Sequence, residues 1–209
     1  MKKGKVWTYL ADITPLLEEE AYRKALEKVP DFRREKAQRL RFREDQAQSV
    51  GAWLLLTTAR NELGASPEQP FNLSHSGRYV LATVGPEGEK AGCDIETVKR
   101  FHRETARRFF CPSEYDTIVN AEGEKQKELF YRFWVLKESF MKATRYGMVL
   151  GLDSFEIRLE EGREPVLMRQ PEKVKEAYFF REFQTPGADA RIAVCSTCRQ
   201  ILEPVWRRL

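Results

Sequence analysis

Two pairs of charged residues in this chain have spacings that chemistry can use. In Gly92-Cys93-Asp94-Ile95-Glu96 a strand period of two puts Asp94 and Glu96 on one face and turns Cys93 and Ile95 the other way, into a core. Carboxylates sharing a face repel unless a cation or basic group lies between them. Hard oxygens of this kind suit Mg2+, which takes carboxylates together with water and substrate phosphate. Gly92 leaves room for something to approach the backbone. A solvated strand edge would carry the same pattern. The second pair lies in Trp134-Val135-Leu136-Lys137-Glu138-Ser139-Phe140-Met141-Lys142. Residues four apart share a helix face, so Glu138 and Lys142 project side by side with Trp134 one turn earlier. Leu129, Phe130, Phe133, Val135, Leu136, Phe140, Met141 and Ala143 cover most of the remaining circumference. A helix so apolar is buried on more than one side. An ordinary ion pair on a solvated edge is the plainer account of Glu138 and Lys142. Taken with the strand, Asp94, Glu96 and Glu138 would make a three-carboxylate site for one Mg2+. Lys142 and the basic segment from Arg33 to Arg43 could hold phosphate oxygens.

Ser74-His75-Ser76 adds two hydroxyls and an imidazole in what reads as a loop, able to hydrogen-bond a phosphate. A hydrolase nucleophile at Ser74 would lack the Gly-x-Ser-x-Gly setting. Cys195-Ser196-Thr197-Cys198 is a CxxC without a second pair of ligands at suitable spacing, so a zinc or redox site is the weaker reading and a strand end carrying small residues the stronger.

The elements that must position these residues are legible in outline. Lys5 to Leu10 alternates and reads as a strand. Pro15 opens a helix running to about Lys28, with Glu18 to Glu20 in its first turn. Asp31 is a good N-cap for a basic helix from Phe32 to about Leu40, and a longer helix follows from about Glu44 to Leu63, closed by Gly64. Tyr79 to Val84 and Ala91 to Glu96 read as strands, and His102 to Phe110 and Pro112 to about Asn120 as helices. The chemistry-bearing helix spans about Glu128 to Arg145, with Gly147 as its stop. Strand-like runs follow at Ser154 to Leu159, Ala177 to Gln184 and Ala190 to Ser196. Helices with a few non-adjacent strands in each half predict an α+β fold, with helices packed on an antiparallel or mixed sheet. The turn Gly85-Pro86-Glu87-Gly88 predicts a boundary between an N-terminal half, 1–88, and a C-terminal half, 89–209.

Composition excludes several classes. The 209 residues are 42% hydrophobic and 33% charged, as in a folded soluble protein. No run approaches the roughly 20 apolar residues of a transmembrane helix, and the N-terminus is too polar for a signal segment. A cytoplasmic location with reduced cysteines is therefore expected. The net charge of +4 does not demand nucleic acid, and no aromatic residues interleave the basic runs as in a nucleic-acid module. It does suit an acidic partner.

Three motifs, Phe71-Asn72-Leu73-Ser74-His75-Ser76, Gly92-Cys93-Asp94-Ile95-Glu96 and Trp134 to Lys142, resemble in order and rough spacing those of the 4'-phosphopantetheinyl transferases of the surfactin-synthetase-activating (Sfp) type. Arg34 to Arg39, Arg107-Arg108-Phe109-Phe110 and Gly147 to Phe155 also look like that family, so the resemblance spans about Val6 to Cys195. It implies two similar α+β halves related by a pseudo-twofold, each with helices on a small, mostly antiparallel sheet, and a site in the cleft between them. It implies Mg2+-dependent transfer of the 4'-phosphopantetheine arm of coenzyme A to a serine of an apo acyl or peptidyl carrier protein, releasing 3',5'-ADP. By matching position, Asp94, Glu96 and Glu138 would hold Mg2+, and Glu138 would take the serine proton. Lys142 would stabilise or protonate the leaving group, Ser74 and His75 would contact coenzyme A phosphates, and Arg33 and Lys36 fall where the family places basic phosphate contacts. Arg107 and Arg108, beside exposed Phe109 or Phe110, would meet the acidic carrier, although an ordinary amphipathic helix would carry the same pattern. No membrane or nucleic acid is involved, and a monomer is expected. The family usually has Gly-Lys-Pro and a longer loop before the first motif; here Gly64 to Pro70 is short and has no lysine. That departure keeps open an alternative, a non-catalytic coenzyme A or carrier-protein binding protein of the same fold.

Overall fold

The computed structural model describes residues 4–209. The chain begins with strand β1 (Trp7–Asp12), a 3-10 turn (Thr14–Leu17), and helices α1 (Glu19–Glu27), α2 (Asp31–Gln38) and α3 (Arg43–Leu63). A hairpin of β2 (Phe71–Ser76) and β3 (Tyr79–Val84) ends the first half. The second half opens with β4 (Ala91–Thr97), then α4 (Arg103–Phe109), α5 (Pro112–Val119) and α6 (Gly123–Thr144). A short hairpin, β5 (Glu156–Arg158) and β6 (Val166–Arg169), precedes β7 (Phe179–Gln184) and β8 (Ala190–Ser196), and β9 (Val205–Arg207) closes the chain.

The plan is repeated. Each half runs strand, two short helices, one long helix, antiparallel hairpin, and the strands lie in matching order, β2-β3-β1 and β7-β8-β4. The long helix of each half covers one face of its sheet. Tyr9, Ala11, Val80, Ala82 and Val84 pack with Val50, Leu55 and Leu56 of α3, and Ala193 and Cys195 pack with α6 residues such as Phe133, Leu136 and Phe140. The opposite faces meet each other: Leu10, Tyr79 and Leu81 share a core with Cys93, Ile95, Ile192 and Val194. This like-on-like packing makes the fold α+β in two similar halves, as the resemblance implies. The strand β9 returns to the first sheet, parallel to β1, so residues from the end of the chain complete the N-terminal sheet.

Several local expectations are corrected. Ser74, His75 and Ser76 lie in a strand rather than a loop: all six residues of β2 pair with β3. Its polar alternation looks loop-like because its polar side chains are satisfied by another strand. The expected first helix splits, because the Glu18 carboxylate accepts from the Ala21 N–H and starts α1 afresh after the 3-10 turn. Asp31 is the first residue of α2, with Pro30 at the cap. Helix α6 begins five residues earlier than expected, and Arg145, not Gly147, ends it, at a left-handed φ of 63°. Gly64 caps α3 as expected, with φ 60°. The strands β6 and β9 had no sequence signal, being short and poorly alternating.

Candidate active site

The site is built where α6 lies across β4. Helix and strand touch at Gly92, where a Cβ would sit 2.3 Å from both the Ala143 nitrogen and the Ser139 carbonyl oxygen. The neighbour for which Gly92 leaves room is therefore α6 itself. That contact brings the acid–base pair of the helix onto the acidic face of the strand. The Lys142 Nζ donates to Asp94 Oδ1 at 2.6 Å and to Ser74 Oγ at 3.1 Å. Ser74 Oγ donates to the same Asp94 oxygen at 2.8 Å. Asp94 is 3% exposed, and its other oxygen, Oδ2, is buried without a hydrogen-bond partner. Two positions along, Ser76 Oγ donates to Glu96 Oε2 at 2.8 Å.

The electrostatics follow from burial and crowding. Burial raises the Asp94 carboxyl above the usual range, against the pull of Lys142. Burial and then the Asp94 charge raise Glu138. Glu96 is raised by burial and by Asp94, with Glu138 adding to the effect. For Lys142, burial works downward, but the charge and hydrogen bond of Asp94, with Cys93 and Glu138, outweigh it and hold the ammonium above its ordinary value. Three carboxyls with mutual repulsion and one cation among them form an under-neutralised cluster.

Among the described residues, no group of three or more His, Cys, Asp or Glu side chains is gathered closely enough to enclose a metal ion as the side chains stand. The donor chemistry nonetheless fits a hard divalent cation. Asp94 Oδ2 is an orphaned buried anion oxygen, a costly state unless something binds it. Glu96 and Glu138 are the acidic groups whose charges reach it, and all are oxygen ligands.

The expected phosphate contacts surround β2. His75 is exposed, on the strand face opposite Ser74 and Ser76. Its pKa is lowered, by partial desolvation of the ring first and then by Lys142 and Lys36, with Asp45 and Asp94 opposing. Lys36 is exposed on α2. The Arg33 guanidinium lies 4.5 Å from the Trp53 ring centroid, and its Nε is buried without a partner. Two further arginines flank the start of β2: Arg60 lies 4.6 Å from the Phe71 ring centroid and Arg145 donates to the Phe71 carbonyl at 2.5 Å. Neither signals itself in sequence. Ser74, by contrast, is buried and committed to Asp94, Lys142 and the Ile95 N–H.

Lys137, one residue before Glu138, is a buried charge that sequence reading passed over. It is fully buried, pairs with Glu114 at 2.9 Å, and donates to the carbonyls of Leu152 and Phe155 at 2.6 and 2.7 Å. It ties α6 to α5 and to the segment that follows the helix. On α4, Arg107 and Arg108 are exposed, but Phe110 is buried and Phe109 is half-buried against Trp134. The exposed aromatic expected there is therefore absent, because both rings are drawn into the α6 core. Cys195 sits in the core on β8 and Cys198 donates to the Gly4 carbonyl, so the CxxC serves packing; burial holds the Cys195 thiol well above its ordinary range. No helix of the described residues is long and apolar enough to cross a membrane.

The fold and site define a two-half α+β protein with an acidic crossing of helix and strand flanked by cations. A family model for the 4'-phosphopantetheinyl transferase superfamily matches residues 90–195. A 4'-phosphopantetheinyl transferase of Bacillus subtilis is 32% identical over 167 residues, covering 66% of this chain and 74% of that protein. The 4'-phosphopantetheinyl transferase Sfp of Bacillus subtilis (strain 168) is 35% identical over 130 residues, 62% of this chain but only 56% of Sfp. The crystal structure of holo-[acyl-carrier-protein] synthase from Thermotoga maritima is similar at a TM-score of 0.42 and 21% identity, covering 51% of this chain and 61% of that one. The chain belongs to the 4'-phosphopantetheinyl transferase superfamily and is an enzyme of that type.

Proposed function

We propose that the protein transfers the 4'-phosphopantetheine arm of coenzyme A to a serine of an apo carrier protein, with Mg2+, releasing 3',5'-ADP. The observation that carries this reading is the Lys142–Asp94 pair where α6 crosses β4, with one Asp94 oxygen left bare and the charges of Glu96 and Glu138 felt in the same cluster. Asp94, Glu96 and Glu138 would hold the cation, which when bound would neutralise charge on the pyrophosphate. The names of the relatives support the substrate class.

The chain's own residues then divide the work. Glu138, a carboxylate one turn before Lys142 on the same helix face, takes the proton from the carrier serine. The serine oxygen bonds to the phosphorus bearing the pantetheine, and the bond from that phosphorus to the bridging pyrophosphate oxygen breaks. The electron pair leaves on 3',5'-ADP. Lys142, a cation held between the helix and Asp94, stabilises or protonates that leaving oxygen. Arg33, Lys36 and His75, with Ser74 the fourth residue expected among them, are the candidates for binding the coenzyme A phosphates.

The partner is an acidic carrier protein. Lys99, Arg100, Arg103, Arg107 and Arg108 put a basic, exposed surface immediately after β4, which suits such a partner. Ser74 of the first half meets Asp94 and Lys142 of the second, and we read the chain as a cytoplasmic monomer divided near Gly88. Four buried free cysteines suit a reducing compartment.

Glu138→Gln tests the reading. Incubated with coenzyme A, Mg2+ and a panel of apo carriers, the wild type should add the mass of the phosphopantetheine arm, and the variant should lose about 100-fold or more in rate with its circular dichroism unchanged. Wild-type labelling retained by the variant would remove Glu138 from the chemistry. No labelling of any carrier by wild type would overturn the function.

A further inference from the structure

The β4 strand is the edge of its sheet, and an edge presents unpaired N–H groups that must find partners when buried. Here the partners are side chains of β2. Asn72 Oδ1 accepts from the Cys93 N–H at 3.0 Å, Ser74 Oγ from the Ile95 N–H at 3.4 Å, and Ser76 Oγ from the Thr97 N–H at 3.1 Å. Both series run at intervals of two, so the side chains of one strand match the backbone donors of the other rung for rung.

A hydroxyl differs from the Asn72 amide in that it accepts and donates through one atom. Ser74 and Ser76 use this. Each accepts from the β4 backbone and sends its proton to the carboxylate beside that rung, Asp94 at 2.8 Å and Glu96 at 2.8 Å. For Ser74 the inventory is complete: one proton to Asp94, and its two acceptor positions to Ile95 N–H and Lys142. Both donors on Asp94, Ser74 and Lys142, fall on Oδ1, which leaves Oδ2 bare.

We propose that Ser74 and Ser76 are positioning residues that aim Asp94 and Glu96 at the divalent cation. This rests on the proposed metal site and sharpens it. Outer hydrogen bonds of this sort typically change metal affinity by about 10- to 100-fold.

The test separates metal binding from nucleotide binding. Mn2+ is titrated into the protein with 3',5'-ADP present, following free Mn2+ by electron paramagnetic resonance, and coenzyme A affinity is measured separately in EDTA. Ser74→Ala and Ser76→Ala should each weaken Mn2+ by about tenfold or more, and Ser76→Ala should leave coenzyme A binding in EDTA within about twofold. Ser76→Thr, which keeps the hydroxyl, should hold Mn2+ within about threefold of wild type. Unchanged Mn2+ affinity in both alanine variants overturns the proposal, and so does an equal loss of coenzyme A affinity in EDTA for Ser76→Ala. If Ser74→Ala fails to fold by circular dichroism, the Ser76→Ala and Ser76→Thr pair decides by the same limits. Wild-type protein that binds no Mn2+ would bring down the metal reading as well. Wild type that binds Mn2+ and labels a carrier, with variants that match it, would sink this inference alone.

Discussion

His75 stands apart from its two serine neighbours. They point at β4, whereas it lies on the exposed side of the strand, where partial desolvation of the ring and then Lys142 and Lys36 disfavour its proton. An anion bound beside it would reverse that balance. If His75 contacts a coenzyme A phosphate, binding should take up a proton at pH about 6 to 7, read as a dependence of the calorimetric heat on buffer ionisation enthalpy. His75→Gln should abolish the uptake; equal uptake in the variant would place the phosphates elsewhere. The sign for stability follows from the same shift. The unfolded chain protonates at the ordinary histidine value and the folded protein only below it. The unliganded wild type should therefore gain stability relative to His75→Gln as pH rises through that interval, because there the unfolded state holds the extra proton.

At the scale of elements, the α6–β4 crossing decides whether there is a site at all. The helix can descend onto the strand only because residue 92 has no side chain. Gly92→Ala sets a methyl against backbone atoms on both sides, and neither neighbour can rotate away as a flexible side chain would. We expect a loss of about 3 kcal/mol or more, at or beyond the upper end for overpacked cores, measured by urea denaturation, together with loss of transfer. A variant as stable as wild type would mean that helix and strand are not in contact there. On the far side of α6, the buried Lys137–Glu114 pair and its carbonyl bonds lock the helix to α5. Glu138 and Lys137 are adjacent in sequence but differ in surroundings: the charge of Asp94 reaches the half-buried Glu138, while Lys137 anchors the helix to α5.

In the whole molecule, neither half is complete alone. The β4 edge is satisfied by β2, the two sheets share a core, and β9 returns to β1. Further ties cross the interface: the Tyr79 hydroxyl donates to Asp189 at 2.8 Å, and Arg78 pairs with the same carboxylate at 3.3 Å. We expect residues 89–209, expressed alone, to lack cooperative unfolding by circular dichroism, since Cys93, Ile95 and Thr97 would lose their acceptors and Leu10, Tyr79 and Leu81 would no longer cover the sheet. A cooperative transition in that fragment would show the halves to be independent domains.

Read by itself, the sequence determined the local rules: the alternation that separates Asp94 and Glu96 from Cys93 and Ile95, the four-residue step joining Glu138 to Lys142, the left-handed cap at Gly64, and the three ordered motifs of a known family. These are legible because strand and helix periods act over a few neighbouring residues. Tertiary structure alone decided that Ser74 and Ser76 lie in a strand and grip carboxylates twenty residues away. It also decided that Gly92 receives a helix, that Lys137 is buried while Lys142 meets Asp94, and that Phe110 is core rather than surface. Partners far apart in the chain leave no periodic mark in it: a hydroxyl's acceptor, or the backbone that fills the space over a glycine, is chosen only when the two sheets and their helices close on one another.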